Sequence, residues 1–92
     1  MTFEWDEEKC KTNIQKHGIS FETAALVFED PNYIEMFDFA HSIFEDRFIA
    51  IGMVEKVLFV VYTERAERIR IISARLAKET ERGLYYDQNL YY

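Results

Sequence analysis

Four residues near the start of the chain, Lys9, Asn13, Lys16 and His17, recur at i, i+4, i+7 and i+8. On an α-helix that spacing puts them on one side. Two ammonium groups, an imidazole and an amide along one stripe suit an anionic partner. A second basic set lies further on, at Arg47, Arg65, Arg68, Arg70 and Arg75. In a strand, Arg68 and Arg70 share parity and point one way, while Ile69 and Ile71 point to a core. Arg75 has the opposite parity and needs a bulge, or the turn out of the strand, to join them. Guanidinium groups arriving from neighbouring strands grip phosphate well, because the planar fork donates two parallel hydrogen bonds. Carboxylates are also within reach of these arginines. Glu45, Asp46, Glu64 and Glu67 can pair with them across strands, above all with Arg65 and Arg68, which flank a turn.

The remaining reactive side chains read more plainly. Cys10 stands seven positions before His17, so a thiol–imidazole pair is conceivable, but a small buried residue on the apolar face of the helix suits it better. His41 falls in a polar connection and reads as solvated. One cysteine and two distant histidines give neither a disulfide nor zinc spacing, so no metal and no cofactor is expected.

The basic residues need elements to position them. Thr2 to Trp5 reads as a short first strand. Asp6 can cap a helix running to about His17, with Glu7 and Glu8 at its positive end. Cys10 and Ile14 form its apolar stripe, and Trp5 staples onto Cys10. Gly18 is placed for a left-handed ending of Schellman type, with Ile19 against Ile14. Ser20 caps a second helix that lasts to about Glu29, and Pro31 follows it. The period then changes to that of strands, at Tyr33 to Phe39, Arg47 to Met53, Lys56 to Thr63 and Arg68 to Ala74. Turns are expected at Gly52 to Glu55 and at Glu64 to Glu67. A helix from Ala77 to about Tyr86 closes the chain, and residues 87–92 are expected to fray. The expectation is one α+β domain over residues 1–92. It has an antiparallel sheet of about four strands, two N-terminal helices on one face and a C-terminal helix.

The chain has 92 residues, 49% of them hydrophobic, and carries a net charge of −6. That composition excludes disorder and allows a single modest core, with stability of about 5–10 kcal/mol. The apolar run Val57 to Tyr62 is too short to cross a membrane. The acidic start MTFEWDEE is no signal peptide, so a cytoplasmic protein is expected. An acidic total argues against non-specific nucleic-acid binding, but the charge is blocked. Residues 9–17 hold +3 with no acid, residues 18–46 hold −7 with no Lys or Arg, and residues 47–75 return to +3. Exposed charges are screened beyond about 8–10 Å, so a basic patch can act independently of the total.

With both basic sets in view, the chain resembles the BrnT family of type II toxin–antitoxin ribonucleases. The resemblance rests on the pattern WD-x-x-K-x-x-x-N-x-x-KHG-[IV]-S-F-E at Trp5, Asp6, Lys9, Asn13, Lys16, His17, Gly18, Ile19, Ser20, Phe21 and Glu22. It continues through Phe28, Asp30 and Pro31, through Glu45, Arg47, Phe48, Ile51 and Gly52, and through Arg70 to Arg75 with Ala77, ending at Glu81 and Arg82. The resemblance implies a RelE-like fold, RNA cleavage that inhibits translation and growth, and neutralisation by an antitoxin. That partner, BrnA-like, carries a DNA-binding domain and with the toxin represses their operator DNA. The competing expectation is a catalytically inactive module that binds the antitoxin or acts as co-repressor.

Metal-free RNA cleavage needs a base for the ribose 2′-hydroxyl, an acid for the leaving 5′-oxygen, and cations for the charge of the phosphorane. On that basis Lys9 or His17 does the proton work, while Arg47, Arg70 and Arg75 hold the phosphate. Histidine is the side chain suited to proton transfer near neutral pH. His17 has a second reading, as a cation satisfying the last carbonyls of its helix. Asn13, Lys16 and Arg68 would contact RNA. Tyr85 would stack on a base, or else pack on the sheet.

Overall fold

The computed structural model describes residues 1–88. The Asp6 carboxylate accepts from the N–H groups of Glu8 and Lys9 at 2.8 and 3.2 Å, and α1 runs Glu7–His17 from that cap. It ends at Gly18, whose φ of +70° is costly for any residue with a Cβ, and whose N–H donates to the Ile14 carbonyl at 2.8 Å. That single bond is the simpler left-handed ending rather than the Schellman pair. The helix is also rotated from the expected stripe. Cys10 and Asn13 are buried, whereas Ile14 is 46% exposed. Ser20 Oγ accepts from the Thr23 N–H at 3.1 Å and starts α2, Phe21–Ala25, which tightens into a 3₁₀ turn at Leu26–Glu29.

The sheet has five strands, not about four. They are β1 (Thr2–Glu4), β2 (Ile34–Phe37), β3 (Arg47–Val54), β4 (Lys56–Arg65) and β5 (Arg68–Leu76), in spatial order β1-β5-β4-β3-β2. Strands β2 to β5 form the expected antiparallel run, and β1 adds a parallel edge, with Phe3 beside Ile69. Helix α3 (Glu79–Asp87) follows. The fraying expected of the chain end falls largely on residues 89–92, which lie outside the described residues. No helix among the described residues is long and apolar enough to cross a membrane.

The β3–β4 turn lies at Glu55, at φ +63°, and the β4–β5 turn at Ala66, at φ +55°. Gly52 is therefore not a turn residue. It sits inside β3, where a Cβ would lie 2.7 Å from Val27 Cγ1 and 2.9 Å from Tyr33 Cβ. The missing side chain lets the 3₁₀ turn rest directly on the strand. Gly52→Ala is expected to cost about 1–3 kcal/mol through that overlap, measured as a lower urea midpoint. An unchanged midpoint would mean that the turn backs away freely.

Two cores flank the sheet. Phe21, Ala24 and Val27 from the helical layer bury Val60, Tyr62, Ile71 and Ala74 on one face. On the other face α3 contributes Tyr85 to a smaller cluster with Ile51, Val57 and Ala77. The Tyr85 hydroxyl donates to Asp30, which also accepts from the Met53 N–H at 2.7 Å and the Asn32 N–H at 2.9 Å. Burial pushes the Asp30 carboxyl upward, but these three donors outweigh it and hold it below the usual range. Burial and the same carboxylate push the Tyr85 hydroxyl up to about 12.

One irregularity governs the second face. Val61 pairs with Ser73 and Tyr62 with Ile71, so Ile72 is an extra residue in β5. Ile71 and Ala74, three apart, therefore both face the main core. Arg70, opposite Thr63, and Arg75, opposite Phe59, face the other side together despite their opposite parity.

Candidate active site

The part of that second face left uncovered by α3 is a cleft of about 340 Å³. Its floor is apolar, with Ile49, Phe59 and Val61, and its rim carries Arg47 from β3, Arg75 and Ser73 from β5, and Asp38 and His41 from the segment before β3. Arg75 is fixed from two sides. Its guanidinium carbon lies 3.9 Å from the centre of the Phe59 ring, and its two terminal nitrogens donate to Glu81 at 2.7 and 2.9 Å. Glu81 also accepts from the Lys78 N–H at 2.7 Å. The paired hydrogen bonds to Glu81 raise the Arg75 pKa against the opposing effect of burial, and the same bonds pull the Glu81 carboxyl down. Arg47 makes no salt bridge among the described residues.

His41 is more than a solvated loop residue. Its Nδ1 lies 2.9 and 3.2 Å from the two carboxylate oxygens of Asp38, while the ring borders the cleft. A carboxylate on one ring nitrogen orients the imidazole and leaves Nε2 for another partner. Asp38 and Phe59 were not among the residues picked out from the sequence, and Glu81 was named there only as part of the family pattern. The three-residue spacing of Asp38 and His41 was the available signal for one pair, and the end of the family pattern at Glu81 and Arg82 held the other.

The helical stripe forms a neighbouring hollow rather than part of this cleft. Lys9, Thr12, Asn13, Lys16 and His17 line a groove of about 330 Å³ between α1 and β5, with Asp6 and Glu8 also on its border. Ile72 and Ser73 border both hollows, so the bulge is the ridge between them. Lys16 and His17 also occupy the last turn of α1, where positive charge offsets the helix dipole.

Three expected contacts, Tyr85, Arg70 and Arg68, lie elsewhere, and a fourth, Asn13, is committed to the backbone. Asn13 is turned inward, 6% exposed, and its amide donates to the carbonyls of Ile19 and Ala74, both at 2.8 Å, while accepting from the Ala74 N–H at 3.1 Å. It clamps the edge of β5 beyond Arg70, where β1 stops, so its polar atoms are taken up by the backbone although the residue borders the groove. Tyr85 is in the core, held by Asp30, so its ring is not a free stacking platform. Arg70 donates to Glu4 at 2.7 Å and borders neither hollow. Arg68 is exposed at the start of β5, opposite Arg65, and is likewise outside both.

Residues 5–81 match the family model described as the ribonuclease toxin, BrnT, of type II toxin–antitoxin systems. This chain belongs to the BrnT family. The match spans α1 with its cationic stripe, the bulged strand β5 and both cleft arginines, and it ends at Glu81, the residue that holds Arg75. BrnT membership makes the chain a ribonuclease toxin by family, with an antitoxin as its partner. No match was found among curated proteins.

Proposed function

We propose that this BrnT chain is an endoribonuclease that cuts RNA without a metal ion, in the cleft between β3, β5 and residues 38–41. The ribose 2′-oxygen attacks the adjacent phosphorus, and the bond to the 5′-oxygen breaks. The products are a 2′,3′-cyclic phosphate and a free 5′-hydroxyl. One group takes the 2′ proton and another supplies a proton to the 5′-oxygen. Arg47 and Arg75 hold the phosphate and balance the charge that builds on its oxygens. His41, oriented by Asp38, exchanges a proton with the substrate. Across the Ile72–Ser73 ridge, Lys9, Lys16 and His17 hold the neighbouring phosphates, and solvent in the open cleft carries the second proton. Positioning and charge stabilisation supply most of the rate in such a site.

The observation that carries this reading is the meeting of Arg47, Arg75 and a carboxylate-held imidazole in one open cleft, within the span that matches the family. The five-strand sheet with two helices on its main face agrees with a RelE-like fold, which belongs to the same proposal. So do a BrnA-like antitoxin with a DNA-binding domain, joint repression of operator DNA, and a cytoplasmic site of action.

Purified chain incubated with RNA in EDTA is expected to release fragments ending in cyclic phosphate. His41→Gln is expected to slow cleavage about 10²- to 10⁴-fold with folding intact. RNA bound but left whole in EDTA would favour the inactive binding module. Unchanged cleavage by His41→Gln, with loss in His17→Gln, would move the proton work to the α1 groove.

A further inference from the structure

The connection from β2 to β3 presents large apolar side chains to solvent. Phe39 is 83% exposed, Ile43 79% and Phe44 98%. Phe37, on edge strand β2, extends the patch, with its ring centre 4.6 Å from that of Phe39. The segment is held in shape at its stem. Asp38 N–H donates to the Arg47 carbonyl at 2.8 Å, and Ser42 Oγ donates to the Asp38 carbonyl at 2.6 Å while accepting from the Arg47 N–H at 2.9 Å. A pinned stem presents these residues in one arrangement, which lowers the ordering cost of docking. Four large apolar groups on one short segment are more than a monomer's surface calls for.

Charge decides what covers them. From Gly18 to Asp46 the chain carries seven acids and no Lys or Arg, and Glu35, Glu45 and Asp46 border the apolar residues in sequence. RNA would be repelled. A second copy of the chain would set one acidic patch against another. A protein segment that combines apolar residues with Lys or Arg satisfies both the patch and its border.

We infer that residues 37–46 are the docking surface for the antitoxin, which seats a basic, apolar segment on Phe39, Ile43 and Phe44. This rests on the toxin reading for its consequence. Asp38 and His41 of the same connection border the arginine cleft. A partner seated on this connection stands at the mouth of that cleft and keeps RNA out.

The test uses the full chain, the antitoxin encoded by the adjoining gene, and the double variant Ile43→Glu/Phe44→Glu. Neither residue borders the cleft, and both are exposed, so the variant is expected to fold and to cut RNA at the wild-type rate. Its affinity for the antitoxin is expected to fall at least about 100-fold, the loss typical of central apolar anchors. An equimolar amount of antitoxin should then silence the wild type but not the variant. Affinity within about threefold of wild type would overturn the inference, as would failure of the wild-type chain to bind the antitoxin. Self-association or RNA binding that the double variant abolishes, with antitoxin binding kept, would hand the patch to a second copy or to RNA. A wild-type chain that binds antitoxin through Phe44 yet cuts no RNA would defeat the nuclease proposal and leave this surface standing.

Discussion

Asn13→Ala is expected to lose about 3–6 kcal/mol of stability, a large share of the roughly 5–10 kcal/mol expected for this domain. The single amide serves three buried backbone groups, the carbonyls of Ile19 and Ala74 and the N–H of Ala74. Alanine would leave all three without partners, at about 1–3 kcal/mol each where water cannot enter. It would also free the edge of β5 from α1, which are joined through this contact over a sequence separation of 61. Asn13→Asp should be no better, because a carboxylate would face two carbonyl oxygens. Lys16→Ala, on the exposed side of the same helix, should change stability by less than about 0.5 kcal/mol. The contrast is read by thermal melting, where the expected drop for Asn13→Ala is at least about 15 °C. An Asn13→Ala protein with wild-type melting and weakened RNA binding would return the amide to the surface role expected from its spacing.

That residue also shows where reading the sequence stops. Helix caps are local chemistry, so Asp6, Gly18 and Ser20 could be placed from their neighbours. Which side of α1 turns inward is a tertiary matter. Apolarity favours Ile14 over Asn13, but the bare edge of β5 needs a donor and an acceptor, and only the amide offers both. Thr2 to Glu4 was legible as a strand, whereas its parallel place beside β5 depends on residues 66 positions away, as in the Glu4–Arg70 pair. The parity of Arg70 and Arg75 left a bulge or the turn out of the strand as ways to bring them together, and nothing in the sequence chose the bulge or singled out Ile72. Gly52 resembled a turn glycine because close approach and turning require the same missing Cβ. Glu81 and His41 were noted without these roles, because each gains meaning from a partner brought near by folding or by a local turn.

Arg75→Ala is expected to lower kcat/KM for RNA about 10²- to 10³-fold, the usual loss when one preorganised donor to a developing oxyanion is removed. Arg75→Lys should fall nearly as far. Lysine keeps the charge but cannot make two parallel bonds to Glu81 while lying flat over Phe59, so the donor would no longer be aimed. Stability cannot explain such a loss if the Arg75→Ala/Glu81→Ala double variant, which leaves no unpartnered carboxylate, is as stable as the wild type and still inactive. The decisive variant is Glu81→Gln. If Glu81 only neutralises Arg75, removing its charge should speed cleavage, because the arginine becomes freer to take a phosphate. If Glu81 aims the guanidinium, the variant should bind RNA as well or better, with a lower KM, yet turn over about tenfold more slowly. The fork geometry and the ring beneath it favour aiming. A Glu81→Gln protein with raised kcat would instead make the ion pair a latch that substrate must open.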